Sequence, residues 1–226
     1  MNASRTRLIW LSHVLSSTTP LYGGGKDLRL TSLRSMSAGD SCNATLINLP
    51  SHAGTHIDSP YHFLADGRTL DTFPAEFWIF NSPALAVISL PLGSLIGPGE
   101  LPNQLASNVE TDLLLLKTGC ENSRQYDVYW REGFGLSASL AGHLKSRYPR
   151  LRAVGVDFIS ISSWGNREEG RMAHRAFLEK DILLIEDMSL RDIGEGEKLR
   201  RVIALPLRFE GADGAPCSIL GWVDGI

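Results

Sequence analysis

His52-Ala53-Gly54-Thr55-His56-Ile57-Asp58-Ser59-Pro60-Tyr61-His62-Phe63 is the stretch from which the fold and chemistry of this chain are best inferred. It holds three of the six histidines within eleven residues, where an even spread would place roughly 0.3. Gly54, two β-branched residues and Pro60 disfavour a helix here. In an extended chain, residues at even positions point to one face. The candidate polar residues all occupy even positions: His52, His56, Asp58 and His62.

Distances along an extended chain constrain this cluster further. At about 3.3 Å per residue, His56 and Asp58 lie about 6.6 Å apart and can share one metal ion. His52 and His56 would lie about 13 Å apart, which is marginal for a common ion. The backbone therefore has to bend, and Gly54 permits the bend. Since His62 follows Pro60, we expect the chain to turn there and to bring His62 back over the site.

The side chains of the cluster favour a particular class of metal. Imidazole and carboxylate groups without a thiolate suit zinc, manganese or iron better than copper(I). A carboxylate placed between two histidines can also bridge two metal ions. The alternative is that the histidines are independent surface or core residues, but their common phase with Asp58 favours a metal site.

A second candidate set lies downstream. His174 falls within a predicted helix, and Glu186 ends the apolar run Ile182-Leu183-Leu184-Ile185. A carboxylate that closes a buried strand is costly unless it is paired or binds a metal. Each residue also has an ordinary explanation, as a surface helix residue and as a charge at a strand end.

The rest of the chain predicts an α/β fold class. Short apolar runs of strand length, bounded by turn-forming residues, recur at Leu8 to Leu11, Thr45 to Leu49, Leu85 to Leu90, Leu113 to Leu116, Ala153 to Ile161, Ile182 to Ile185, Val202 to Leu207 and Ile219 to Val223. Several are continuously apolar, as is typical of strands covered on both faces. Helices are predicted at Ser137 to Arg147 and Asn166 to Lys180, and a surface loop at Pro91 to Gln104. We therefore expect a single domain over residues 1–226, with a mixed β-sheet core and few helices.

Composition excludes several classes of protein. The net charge of −3 leaves no basic surplus to neutralise phosphates, so nucleic acid is not expected as a partner. Three scattered cysteines without a CxxC pair favour neither a disulfide framework nor a thiolate zinc site. The longest apolar runs are about five residues, against the roughly 20 that span a bilayer. We therefore expect a cytoplasmic protein without a membrane partner.

The histidine stretch resembles the HxGTHxDxPxHF motif of the metal-dependent hydrolase family named cyclase, which includes bacterial kynurenine formamidases and isatin hydrolases. Later segments are similar to that family in the same order, so the resemblance covers nearly the whole chain. These segments are Val154-Gly155-Val156-Asp157, His174-Arg175-Ala176-Phe177-Leu178, Ile185-Glu186, Ala204-Leu205-Pro206-Leu207 and Gly211 to Pro216.

The resemblance implies a swivelling β/β/α domain, assembled as a homodimer or homotetramer, with one or two divalent ions, Zn or Mn. It implies that His52, His56 and Asp58 bind a first ion and that Asp58, His174 and Glu186 bind a second. His62 would be the catalytic acid/base group. One departure concerns the substrate: where relatives carry a Trp-Pro-Gly-Asp-like segment that shapes the pocket, this chain has Leu21 to Asp27.

Together with the metal site that the residues predict, the resemblance implies a metal-dependent hydrolase that cleaves the C–N bond of a small N-formyl aryl amide or cyclic amide. A divalent ion lowers the pKa of bound water from 15.7 to about 7 and so supplies hydroxide at neutral pH. His62 would protonate the leaving nitrogen. The alternatives are a lactonase, esterase or cyclase that uses the same site, and a metal-binding member without catalytic activity.

Overall fold

The computed structural model describes residues 6–102 and 108–225. Its strands are β1 Thr6–Trp10, β2 Arg29–Arg34, β3 Ala44–Asn48, β4 His56–Asp58, β5 Ile79–Phe80, β6 Pro83–Val87, β7 Leu95–Ile96, β8 Leu113–Lys117, β9 Gly135–Leu136, β10 Ala153–Val156, β11 Leu183–Glu186, β12 Lys198–Pro206 and β13 Gly214–Asp224. The α-helices of the described residues are α1 Val128–Arg131, α2 Ala138–Arg147 and α3 Arg167–Leu178.

Nine strands form one mixed sheet with the order β5-β12-β13-β4-β11-β10-β8-β6, and β1 pairs with β13 beside this path. Strands β6, β8, β10 and β11 are parallel, whereas β4 runs antiparallel to both β11 and β13. The sheet curls until β12 approaches β6. This architecture confirms the predicted α/β class with a mixed sheet and few helices.

The continuously apolar strands are buried on both faces, as their sequences predict. All of Leu113 to Leu116 in β8 are fully buried. Alternate residues enter two cores: Leu114 and Leu116 pack on the side of α2 and α3, and Leu113 and Leu115 pack on the opposite side. An apolar core therefore packs against each face of the sheet and holds its strands in place.

The two longer helices lie close to their predicted bounds. Ser137 occupies the N-cap position of α2 but makes no capping hydrogen bond with its side chain. The Asn166 side chain accepts a hydrogen bond from the Glu169 backbone N–H at 3.4 Å, so it caps α3 as predicted.

Two predicted segments differ from the structure. The strand expected over 153–161 ends at Val156, because the Asp157 carboxylate turns to accept hydrogen bonds from the backbone N–H groups of Thr118 and Gly119. The loop expected over 91–104 contains the short strand β7 and a 3₁₀ turn at Pro98–Glu100. Its last two residues, 103 and 104, lie outside the described residues.

The hairpin of β2 and β3 is a separate two-stranded sheet. The run at Thr45 to Leu49 predicted β3, but its partner strand was not predicted, because Arg29–Arg34 alternates small, polar and charged residues with leucines. Both strands are largely exposed, and several apolar side chains face outward: Leu30, Leu33, Leu46 and Ile47. Within the described part of the chain, no helix is long and apolar enough to cross a membrane.

Candidate metal centre

The centre begins at β4, whose two neighbours in the sheet are β11 and β13. His56 and Asp58 are two residues apart, so their side chains share one face of this strand. Glu186 of β11 lies directly opposite His56 in the antiparallel pair, which puts its carboxylate on the same face. All three side chains are buried, with at most 4% of each residue exposed.

His52 reaches the same place because the chain bends at Gly54. Gly54 has φ +63°, a left-handed conformation that glycine adopts without strain. His52 Nδ1 then lies 2.8 Å from Asp58 Oδ1, and its Nε2 lies 2.9 Å from Asp213 Oδ2. The ring packs against Gly214, where a Cβ atom would lie only 2.4 Å from His52 Cε1. The bend that the sequence required is therefore present.

The other histidines present their Nε2 atoms to the two carboxylates. His56 Nδ1 donates to the Gly54 carbonyl at 2.8 Å, and His174 Nδ1 donates to the Gly170 carbonyl at 2.7 Å. These bonds fix the tautomer of each ring and leave Nε2 as the ligand atom. His174 Nε2 lies 3.5 Å from Asp58 Oδ2 and 3.4 Å from a Glu186 oxygen.

The loop that follows β10 orients the Glu186 carboxylate through hydrogen bonds. The Ser160 hydroxyl and the Ile161 backbone N–H donate to its Oε1 at 3.0 and 2.7 Å. Its other oxygen lies 3.4 Å from His56 Nε2. This role of Ser160 could not be predicted, because the residue follows a strand in no recognisable motif and its partner lies 26 residues away.

These side chains form two sets of converging donor atoms that share Asp58. One set is His52, His56 and Asp58, and the other is Asp58, His174 and Glu186; the ligand atoms in each lie within 4.8 Å of one another. Asp58 Oδ2 is buried and has no hydrogen-bond partner among the residues that the structure describes. A buried oxygen without a partner is costly, and a cation would satisfy it. The residues present therefore fit one or two divalent ions.

The electrostatics of the cluster call for positive charge. Burial opposes protonation of His174, but the neighbouring Asp58 and Glu186 prevail and raise its pKa to about 10. Burial and the charge of Asp58 oppose ionisation of Glu186, but the His174 and His56 imidazoles lower its pKa to about 2. The carboxylates of Asp58 and Glu186 are thus ionised in a buried place, where protonated imidazoles balance their charge and a bound cation would take over that role.

His62 lies beside this cluster rather than within it. It ends the 3₁₀ turn Pro60–His62, so the chain turns at Pro60 as expected. Its ring centroid lies 3.9 Å from that of His52, and its Nδ1 lies 3.7 Å from Asp213 Oδ2. Burial, together with the positive charges of His52 and His174, lowers the pKa of His62.

Asp213 is a second residue, after Ser160, that the sequence did not single out. It forms a third possible donor set with His52 and His62. Its segment, Gly211 to Pro216, was compared with the family only as a whole. An acidic residue next to glycine in a turn gives no further signal, and Asp213 lies 161 residues from His52.

A cavity of about 320 Å³ opens over the cluster. Its floor contains His52, His56, His174 and Glu186, with His62 at the side. Apolar walls come from Tyr22, Phe63 and Ile159, and Phe63 stacks on His174 with ring centroids 4.5 Å apart. Such a cavity suits a small substrate with an aromatic or apolar part.

The chain is similar to known proteins in sequence and in fold. The model of the Cyclase family ("Putative cyclase") matches residues 9–163. Kynurenine formamidase of Bacillus mycoides is 30% identical over 176 residues, 78% of this chain and 78% of that protein. Cyclase-like protein 2 of Oryza sativa subsp. japonica is 27% identical over 93% of this chain and 77% of that protein. Isatin hydrolase A from Labrenzia aggregata, 19% identical, superimposes with a TM-score of 0.77 over 97% of this chain and 94% of that one, which shows a shared fold.

Proposed function

The chain belongs to the Cyclase family, and from that premise we propose that it is a metal-dependent hydrolase that cleaves the C–N bond of an amide. The observation that carries the proposal is the convergence of two donor sets, one of them fully buried, on Asp58, whose Oδ2 lacks a hydrogen-bond partner among the described residues. We propose Zn or Mn as the metal, because the donors are imidazoles and carboxylates without a thiolate.

His52, His56 and Asp58 would hold one ion, and Asp58, His174 and Glu186 a second. A divalent ion, when bound, polarises a carbonyl group and makes water a nucleophile at neutral pH. The Nδ1–H groups of His56 and His174, held by backbone carbonyls, keep both ligand atoms pointing at Asp58. The protein thus provides a rigid, preorganised set of donors.

We assign the proton transfer to His62. An amine is a poor leaving group, so the amide nitrogen must receive a proton as the C–N bond breaks. His62 lines the cavity without belonging to either set that meets at Asp58, and Asp213 lies within 3.7 Å of its Nδ1. Nε2 of the same ring would then face the cavity and exchange the proton with the substrate.

The substrate that we propose is an N-formyl aryl amide or a cyclic amide. A relative named kynurenine formamidase supports this class, as do the apolar walls formed by Tyr22, Phe63 and Ile159. The same site could instead serve a lactonase, an esterase or a cyclase. A metal-binding member without catalytic activity is a further alternative, which the retention of His62 and Glu186 disfavours.

A substrate panel tests the proposal. Purified protein is analysed for bound metal and then assayed with N-formylkynurenine, isatin and simple lactones, before and after chelation. We expect amide hydrolysis that chelator abolishes and Zn or Mn restores. Activity that survives complete removal of the metal would refute the mechanism. If the fully metal-loaded protein turns over none of these substrates, the non-catalytic alternative is favoured.

Replacing His62 tests the assignment of the proton transfer. His62→Ala should retain bound metal but lose about 10²- to 10⁴-fold in kcat, the usual contribution of a general acid or base. The matched control is His143→Ala, which removes an exposed histidine from α2. Amide hydrolysis by His62→Ala at the rate of the control would show that the assignment is wrong.

We also propose a homodimer or homotetramer. The exposed apolar side chains of the β2–β3 hairpin support this proposal, since Leu33 and Ile47 are 60% and 55% exposed. Light scattering coupled to size exclusion should give a mass of two or four chains. A mass of one chain at micromolar concentration would contradict it.

A further inference from the structure

Three residues of α3 line the cavity in a row. His174 is a member of the donor cluster at the floor, and Arg171 and Arg167 follow it toward the helix N-terminus. Positions 167, 171 and 174 are spaced by four and three residues, so they share one helix face. With a rise of about 1.5 Å per residue, the Arg171 and Arg167 backbones lie about 4.5 and 10.5 Å beyond that of His174 along the axis.

Close packing and hydrogen bonds hold α3 in place beside the cavity. Gly170 packs so closely on the loop after β10 that a Cβ atom there would lie 2.6 Å from Ser162 Cα. Asn166 caps the first turn, and the Gly170 carbonyl holds the His174 ring. The spacing between the two arginines and the donor cluster is therefore set by packed backbone.

No acidic side chain of the described residues forms an ion pair with either arginine. Among the described residues, the ion pairs do not include Arg167 or Arg171. The Arg167 guanidinium instead lies over the Trp164 ring, 5.2 Å from its centroid. Of the neighbouring acids, Glu169 faces away and accepts from the Ala138 backbone N–H at 2.8 Å. Two guanidinium groups at the cavity thus retain their capacity to bind an anion.

We propose that Arg171 and Arg167 bind a carboxylate of the substrate and so select amides that carry this group away from the scissile C–N bond. The inference rests on the proposed hydrolase function. Guanidinium is permanently charged and matches a carboxylate with two parallel hydrogen bonds. Because both arginines line the cavity and lie farther along α3 than His174, the carboxylate belongs on the end of the substrate away from the donor cluster. An aryl formamide with a carboxylate para to the amide has this arrangement.

Two substrates of nearly the same size, one with a carboxylate and one without, show how much the negative charge contributes to recognition. N-formyl-4-aminobenzoate carries the carboxylate, and its methyl ester presents the same formamide without the charge. We expect the protein to prefer the carboxylate in kcat/KM. Arg171→Gln and Arg167→Gln should each lower kcat/KM for the carboxylate about 10- to 100-fold, because KM rises. For the ester, kcat/KM of both variants should stay within about twofold of the wild-type value. Arg171→Lys should restore part of the loss.

The matched control is Arg175→Gln, which removes one positive charge from a residue of the same helix that is exposed like Arg167 and Arg171 but does not line the cavity. It should leave the preference between the two substrates unchanged. Equal effects of Arg171→Gln on both substrates, or an effect of Arg175→Gln as large as that of Arg171→Gln, would overturn the inference.

A binding measurement separates this inference from the proposed function. Titration calorimetry with 4-aminobenzoate, the carboxylate product, needs no turnover. Wild-type protein should bind it at least about tenfold more tightly than the Arg167→Gln/Arg171→Gln double variant. If this difference is found but neither the two formamides nor any amide of the substrate panel is hydrolysed by the metal-loaded protein, the hydrolase proposal fails and the anion site stands. If the ester is hydrolysed but the difference is missing, the hydrolase stands and the anion site is wrong.

Discussion

The buried ion pair of Arg124 with Asp187 offers the sharpest test of how the centre is supported. Asp187 directly follows Glu186, is 1% exposed, and has φ +52°. Arg124 donates two hydrogen bonds to its carboxylate at 2.8 and 2.7 Å, and the Tyr129 hydroxyl donates a third at 2.5 Å. The backbone of Asp187 is in the left-handed conformation, which is unfavourable for residues other than glycine. The three hydrogen bonds hold it in that conformation next to Glu186, a proposed metal ligand.

Arg124→Gln leaves the Asp187 carboxylate buried with Tyr129 as its main donor. Breaking a buried pair in this way costs about 3–5 kcal/mol, because the remaining charge is uncompensated. In a chain of this size, 1 kcal/mol corresponds to about 2–4 °C, so the melting temperature should fall by roughly 6–20 °C. The Arg150–Glu110 pair is equally short at 2.8 Å but exposed, so Arg150→Gln should cost no more than about 1 kcal/mol.

Urea unfolding followed by circular dichroism measures both variants, with chelator present so that metal binding does not contribute. A double variant, Arg124→Gln/Asp187→Asn, should recover part of the loss, since no buried charge then lacks its partner. If Arg124→Gln destabilises the protein no more than Arg150→Gln does, burial does not determine the strength of this pair and the reasoning is refuted.

Three further results are expected. Zn or Mn at 100 times its dissociation constant should raise the free energy of unfolding by about 2.7 kcal/mol, and an unchanged melting temperature in a metal titration would argue against the centre. Gly214→Ala should displace His52 and weaken metal binding about 10- to 100-fold in calorimetry, whereas Gly165→Ala, with no atom near its Cβ position, should not. Burial raises the pKa of Asp157 to about 6, from 3.8 in an unfolded chain. Its stabilising effect is therefore complete well below pH 3.8 and lost as pH rises through 6. The free energy of unfolding of the wild type relative to Asp157→Asn, measured in urea, should fall by about 2 kcal/mol from pH 4 to 7; parallel curves would contradict this.

The part of the site that is local in sequence could be predicted. The even spacing of His56 and Asp58 indicates a shared strand face, and the distance to His52 requires a bend that only Gly54 permits without strain. The structure brings these residues together with His174 and Glu186, as expected. Their chemical roles remain predictions, because position alone does not show which atoms bind a metal or move a proton.

The non-local part could not be predicted. Asp213 reaches His52 only because β13 lies beside β4, and strand order in a mixed sheet is not encoded by the apolar pattern of any one strand. Likewise, the run after Val156 looks like a continuing strand. It leaves the sheet because Asp157 finds backbone donors at Thr118 and Gly119, residues nearly forty positions away.

The register in which β4 pairs with β11 also determines which side chains reach the metal centre. Ile57 and Ile185 are paired across β4 and β11 and enter one core, while His56 and Glu186, paired one position along, face the opposite side. A slip of β4 by one residue would turn Ile57 toward the donors and bury His56 and Asp58 in the apolar core. The cost of burying those groups among hydrocarbon excludes that register even before a metal binds. The apolar and polar residues of a three-residue strand thus select the same pairing, which explains how so short a strand can occupy the middle of the sheet.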